Sequence, residues 1–400
     1  MIRLFFCFLL CFQSSVLLSE KIHKKNLEKP QENEKKKALR DLKILGDLQL
    51  SHQTGAYALL TLGELYEALI PHKKKGAQAN DILIRSSHML LDIFLYFHFA
   101  LIQHEILGHG ARLREYNATN INYRFGLFHG SAAGFFKRTN QTEAALSAGG
   151  IEASDVMAHI IHMEYLESSI VKPHRAFAHL FSFGNQGFYI HMFQDVNYPG
   201  HDIAAYIKSI NAYAGSSLSM ETMRLLGIFD YLNPYLYYSL YGIGNYIVTG
   251  GDQFKYPMIQ MTKDLSYLPA TRLVMAPYGP EIHLLNYFRY REFSGQVNFG
   301  VQVDGAGNGF TLNAHLNPVV FFPQLSIGAH FALWHQPEMT LRNMHSGVQY
   351  TGMLLNLKPS FRVVERFFIE GQVGYKTAGF VQGEVLSSSP IVRLGLRYQF

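Results

Sequence analysis

The spacing of apolar residues along this chain changes character from its first half to its last third. Over residues 53–70 apolar side chains recur every three to four positions and the run stops at Pro71, the mark of an amphipathic helix ended by proline. After Lys73-Lys74-Lys75-Gly76 a second helical run opens at Asn80 and Asp81 and continues to about Leu107; both opening residues have side chains that cap helix starts. Its centre, residues 89–102, is apolar except for Asp92 and His98. That length suits a buried core helix better than a bilayer span. Residues 120–139 hold two short aromatic stretches around a Gly/Ser/Ala turn and predict a hairpin, and residues 151–169 are helical again. Residues 231–249 are uncharged and rich in tyrosine but interrupted by Asn233, Pro234, Gly242 and Gly244. They predict a buried or membrane-proximal segment.

From about Glu281 the period becomes two. Seven stretches alternate apolar with small or polar residues, at 282–291, 293–303, 310–320, 324–334, 347–357, 362–375 and 391–400. Such alternation predicts strands with one apolar face. In the final stretch Val392, Leu394, Leu396, Tyr398 and Phe400 share one face, and Arg393, Gly395, Arg397 and Gln399 the other. A terminal phenylalanine after alternating apolar residues resembles the C-terminal signature of bacterial outer-membrane β-barrels, whose strands are about ten residues long and alternate in this way. The expected fold class is α+β: a mainly helical domain followed by a C-terminal antiparallel β-barrel of about eight strands. The expected boundaries are a signal peptide over 1–19, a polar linker over 20–45, the helical domain over 46–275 and the barrel over 276–400.

Composition sharpens this division. The chain has 400 residues, 48% hydrophobic and only 16% charged, apolar for a protein bathed in water on every side. The net charge of +5 is modest, and many lysines fall in the polar run 21–41, so no nucleic-acid surface is expected. Residues 1–19 have a short basic start at Arg3, an apolar run and then serines, which reads as a secretory signal peptide. Both cysteines, Cys7 and Cys11, lie in that segment, so the mature chain would have neither disulfides nor thiolate metal ligands. The expected address is the outer membrane, with the helical part in the periplasm.

The candidate chemistry sits at the end of the second helical run, in Gln103-His104-Glu105-Ile106-Leu107-Gly108-His109-Gly110. Catalytic zinc sites commonly place histidines at i and i+4 of one helix, with the glutamate after the first as general base. Here the second histidine is at i+5, about 140° around a regular α-helix from the first. Two devices bring it back: a π-bulge, which inserts one residue into the turn, or a helix end at Gly108. The segment resembles the His-Glu-Leu-Leu-Gly-His-Gly motif of dipeptidyl-peptidase-III-type zinc peptidases, with Ile106 in place of a leucine. The resemblance covers about seven residues. It implies His104 and His109 as zinc ligands, Glu105 as the base that activates water, and a glutamate on a later helix as third ligand.

Glu152, just after Gly149-Gly150, is the expected third ligand. Glu152-Ala153-Ser154-Asp155 also resembles the Glu-Ala-x-Ser-Asp stretch of thermolysin-type peptidases, one residue shorter. That resemblance implies zinc binding by Glu152 and orientation of a ligand histidine by Asp155. Asp155 shares a helix face with Glu152, and His159 continues the face as the rival ligand. His159, His162 and Tyr116 are further candidates for stabilising an oxyanion. The expected function is a zinc-dependent hydrolase of peptide or protein substrates, associated with outer-membrane lipid, with the hairpin offering a strand edge to the substrate backbone. The alternative is a non-enzymatic outer-membrane barrel protein whose helical part holds a structural metal or a partner.

Overall fold

The computed structural model describes residues 41–70, 79–192, 200–339 and 344–400. The predicted signal peptide lies outside the described residues, as does all of the predicted linker up to residue 40. Residues 41–46 are not linker but strand β1 (Asp41–Gly46). Helices α1 (His52–Leu69) and α2 (Ala79–His104) follow, then a π-helical turn (Glu105–His109) and α3 (Gly110–Glu115). The hairpin is β2 (Thr119–Phe125) and β3 (Gly130–Phe135), and α4 runs over Asn140–Ser168. Next come β4 (Ile170–Val171), α5 (Pro173–Met192), α6 (Asp202–Ala214), α7 (Met220–Leu226), α8 (Ile228–Tyr231) and α9 (Pro234–Thr249). The remainder is strand: β5 (Phe254–Lys255), β6 (Ile259–Gln260), β7 (Leu265–Ala276), β8 (Gly279–Tyr290), β9 (Phe293–Gln302) and β10 (Phe310–Phe322). It ends with β11 (Leu325–Met339), β12 (Met344–Val364), β13 (Phe367–Lys376) and β14 (Ser389–Gln399).

The fold is α+β, with one antiparallel sheet of ten strands in the order β1-β14-β13-β12-β11-β10-β9-β8-β7-β6. The sheet is not closed into a barrel, in contrast to the sequence expectation. It rolls around a cavity that touches β1 and every strand from β7 to β14. Helices take the place of a closing ladder. At one edge the Thr61 hydroxyl of α1 donates to the Lys43 carbonyl of β1 at 2.6 Å and accepts from the Lys43 N–H at 2.9 Å. At the other edge Asp230 accepts from the Leu273 N–H at 2.8 Å, and the Thr271 hydroxyl donates to the Phe229 carbonyl at 2.6 Å. These contacts occupy part of each edge with helix groups, one of the ways by which sheets limit strand addition. The sheet also starts before the predicted boundary at 275/276, at β6 and β7, and Arg40–Phe400 form one unit.

The two faces of the sheet differ in chemistry. Asn298, Asn313, His330, Asn356 and Gln372 are buried on the inner face. Phe299, Leu355, Leu357, Val373, Leu394 and Leu396 stand exposed on the outer one. The helical core packs α1, α2, α4, α5 and α9 against β7 and β8 through residues such as Leu60, Tyr96, Ile161, Phe177, Tyr235 and Tyr287.

One local reading is corrected. Gly149-Gly150 does not break a helix: both lie inside α4, which starts ten residues earlier with a capping box between Thr139 and Thr142. The glycines are there for contact instead. A methyl on Gly108 would lie 2.6 Å from the Gly150 Cα and 2.7 Å from the Gly149 carbonyl oxygen, so only bare backbone lets the π-turn touch α4. Residues 80–115 form one continuous helical stretch; by length and composition it is long and apolar enough to cross a membrane, a test that the core helices of soluble proteins also pass.

Candidate metal centre

The five-residue step between the imidazoles is absorbed by the π-turn. The Gly110 N–H bonds back to the Glu105 carbonyl, an i to i+5 bond, and the extra residue carries His109 onto the face of His104. Their Nε2 atoms are 3.1 Å apart, with ring centroids 4.8 Å apart and planes at 79°. Asp202, the first residue of α6, places its Oδ2 2.9 Å from His104 Nε2 and 3.3 Å from His109 Nε2. Donor atoms around a tetrahedral zinc are separated by about 3.3 Å, given Zn–N bonds of about 2.0–2.1 Å. The three observed separations lie close to that value.

The outer hydrogen bonds orient the rings. His109 Nδ1 lies 2.8 Å from the Leu146 carbonyl oxygen. A carbonyl only accepts, so Nδ1 carries the hydrogen and the neutral ring presents a bare Nε2 inward. Without a metal the charge facing the Asp202 carboxylate is a proton: burial lowers the His109 imidazole, but Asp202 outweighs that effect and raises it to about 9, and a metal ion would take that proton's place. His104 Nδ1 lies 3.0 Å from the side-chain amide of Asn185. The amide nitrogen donates to Nδ1, so the neutral His104 ring carries its hydrogen on Nε2 and donates it to Asp202; binding a metal through Nε2 requires that proton to leave. Tyr189 lies over the His104 ring, with centroids 6.1 Å apart and planes at 17°. Burial alone would raise the Asp202 carboxyl, yet the two imidazoles hold it below the usual carboxylate range.

Glu105 lies with the histidines: one ligand atom from each of His104, Glu105 and His109 falls within 4.8 Å of the others. Its Oε2 is buried without a hydrogen-bond partner. Strand β3 makes its space, since a methyl on Gly130 would meet the Glu105 Cγ at 2.6 Å. The hairpin predicted beside the motif is therefore in place, and no third strand pairs with β3 among the described residues.

The expected third ligand is elsewhere. Glu152 is held by Arg112, Oε2 to Nη2 at 2.5 Å, and accepts from the Gly383 N–H at 2.8 Å. Both its oxygens are engaged, and the carboxylate facing the histidines is that of Asp202. Asp155 pairs with Arg272 and accepts from Gln382, so it orients neither ligand. The shared face of Glu152, Asp155 and His159 points at the sheet and the 377–388 loop, while the glycine face of α4 meets the metal motif. His159 packs on His315 inside the sheet, His162 bonds Tyr287 and His179, and Tyr116 stacks on Phe136.

Sequence reasoning missed Asp202, Asn185 and Tyr189. An acidic first residue of a helix is ordinary dipole chemistry, so Asp202 carried no mark of a ligand. No family model matches this chain, and neither a curated protein nor a solved structure matches it.

Proposed function

We propose that this protein is a metal-dependent hydrolase, with His104, His109 and Asp202 as the ligands of a zinc ion and Glu105 as general base. The observation that carries the reading is the convergence of three donor atoms beside a buried carboxylate oxygen that has no other partner. A structural site would need only the ligands, and a free glutamate oxygen there would cost stability without return. Zinc in such a site supplies Lewis acidity and makes an adjacent water acidic near neutral pH. Glu105 takes the proton from that water and returns it to the leaving amine. The substrate is a peptide or protein segment, its backbone laid along the open edge of β3. The histidine spacing supports a peptidase resembling the dipeptidyl-peptidase-III type at this motif alone.

We further propose that the rolled sheet lies in a bacterial outer membrane, with β8–β14 as the crossing strands. Apolar residues outward and carboxamides, imidazoles and charges inward are the face pattern of lipid-facing strands, and in a membrane the helices packed at the two sheet edges would have to shield the edges from lipid. The helices then take the aqueous side, in the periplasm. Nothing in the charge distribution calls for a nucleic acid.

The test is metal analysis with two variants. The purified chain should hold about one zinc, His104→Ala should lose it, and Glu105→Gln should keep it while losing peptide hydrolysis. Release of zinc by Glu105→Gln would make Glu105 a ligand and remove the proposed base.

A further inference from the structure

A second cluster of imidazoles lies inside the rolled sheet, apart from the metal centre. His315 on β10 and His330 on β11 are directly opposite each other. Their rings stack with centroids 3.7 Å apart and planes at 19°. His159 of α4 comes down on the same pair, 4.4 Å from the His315 centroid. All three line one cavity of about 380 Å³, within the range of small-ligand sites. His330 is 2% exposed, and neither of its ring nitrogens has a hydrogen-bond partner; nor has His315 Nδ1. Buried polar atoms in a folded chain are nearly always bonded, so three orphans on facing side chains mark a place that something else completes.

The charge around the cluster decides what that is. Lys358 of β12 lines the same cavity. Other cations there are matched: Lys43 and Arg397 with Glu370, Arg175 with Glu164, Arg272 with Asp155. For Lys358 no carboxylate lies within ion-pair distance among the described residues. The acids that line the cavity stand elsewhere, Glu167 and Glu370 among them at the Lys43–Arg397 end, so a metal ion bound by the imidazoles would sit beside this ammonium with no adjacent carboxylate among the described residues. An oxyanion would instead take the ammonium and one N–H from each neutral imidazole. Four donors arriving from α4, β10, β11 and β12 surround the anion on several sides, which suits the spread of oxygens on a tetrahedral oxyanion better than a planar carboxylate.

We propose that the chamber between α4 and strands β10–β12 binds a phosphate group, through Lys358, His159, His315 and His330. The phosphate is either free or borne on a lipid, and the site is independent of the hydrolase reading.

The experiment is thermal unfolding of the full chain in detergent, titrated with inorganic phosphate and separately with lysophosphatidic acid, against chloride at equal ionic strength. Wild type should show a saturable rise in midpoint. Lys358→Met should need at least about tenfold more phosphate for the same rise, the usual loss for a charged hydrogen bond. His330→Leu should blunt the response yet unfold at a higher temperature than wild type without ligand, because it deletes two orphaned nitrogens. His104→Ala should respond like wild type. A response to inorganic phosphate identifies free phosphate as sufficient; a response to lysophosphatidic acid alone identifies a lipid headgroup. No saturable rise with either probe would overturn the proposal. So would an undiminished response in Lys358→Met, or loss of a second bound metal in His330→Leu.

Discussion

Replacing Gly150 with alanine tests the metal centre without touching a ligand. The added methyl would sit 2.5 Å from His104 Cε1 and 2.7 Å from Cδ2, with Nε2 also against it. Ordinary contact begins near 3.4 Å, so the imidazole must retreat by roughly 1 Å. Metal bonds tolerate displacements of only about 0.2 Å. Asn185 on Nδ1 and Tyr189 over the ring restrict the escape. Zinc affinity should therefore fall by about 100-fold or more, roughly 2.8 kcal/mol. The metal-free chain should lose only the overpacking cost, about 1–3 kcal/mol. Chelator competition measures the first quantity and denaturant unfolding in excess chelator the second. Gly184→Ala is the control, because a methyl there meets nothing within 4 Å. Alanine in a helix interior should leave zinc binding alone and add about 0.5–1 kcal/mol of stability. If Gly150→Ala binds zinc as tightly as wild type, His104 is not pressed against α4 as described and the ligand geometry is wrong.

Four further outcomes separate the roles of individual residues. Asp202→Asn should weaken zinc binding by more than about tenfold, read by the same competition assay. Glu152→Ala should keep zinc but cost about 3 kcal/mol in denaturant unfolding, since it leaves the buried Arg112 with Glu115 as its one remaining carboxylate. Zinc at a hundredfold above its dissociation constant should stabilise the chain by about 2.7 kcal/mol, a shift that chelator reverses together with any hydrolysis. Leu394→Arg, on the exposed outer face of β14, should cost about 2–4 kcal/mol for folding into lipid bilayers if it lies near the midplane; a negligible cost in bilayers would argue against the membrane reading.

Much of this architecture was legible in residue order, and the gaps have physical causes. Period two located seven strands to within a few residues, although the predicted 362–375 stretch joins the end of β12 to β13. It missed β7, whose residues 272–276 are buried in succession and so do not alternate. It also missed β1, which is short and follows a charged run. Closure was over-read, because alternation specifies two faces and says nothing about whether edges meet. At the metal motif the i+5 spacing allowed only a few backbone repairs, and the π-turn is one of them. Glu152 was expected beside the histidines because a Gly-Gly pair reads as a break when seen alone, whereas the structure holds it against Arg112 and Gly383. The glycine pair's role in helix contact shows only once α4 is laid against the π-turn. Asp202 reaches the histidines from 93 to 98 residues away, a proximity that only tertiary packing creates.

The pairing of β1 with β14 carries a consequence for assembly. The two strands lie at opposite ends of the described chain, and their union is reinforced by Arg393, which grips Asp47 across 346 residues of sequence. Ring closure over such a span is entropically slow, and contacts of this kind form late. The seam between these strands should therefore zip after the β7–β14 meander has settled. A kinetic intermediate with a bare β14 edge would then be the species most prone to capture by chaperones or by its own kind.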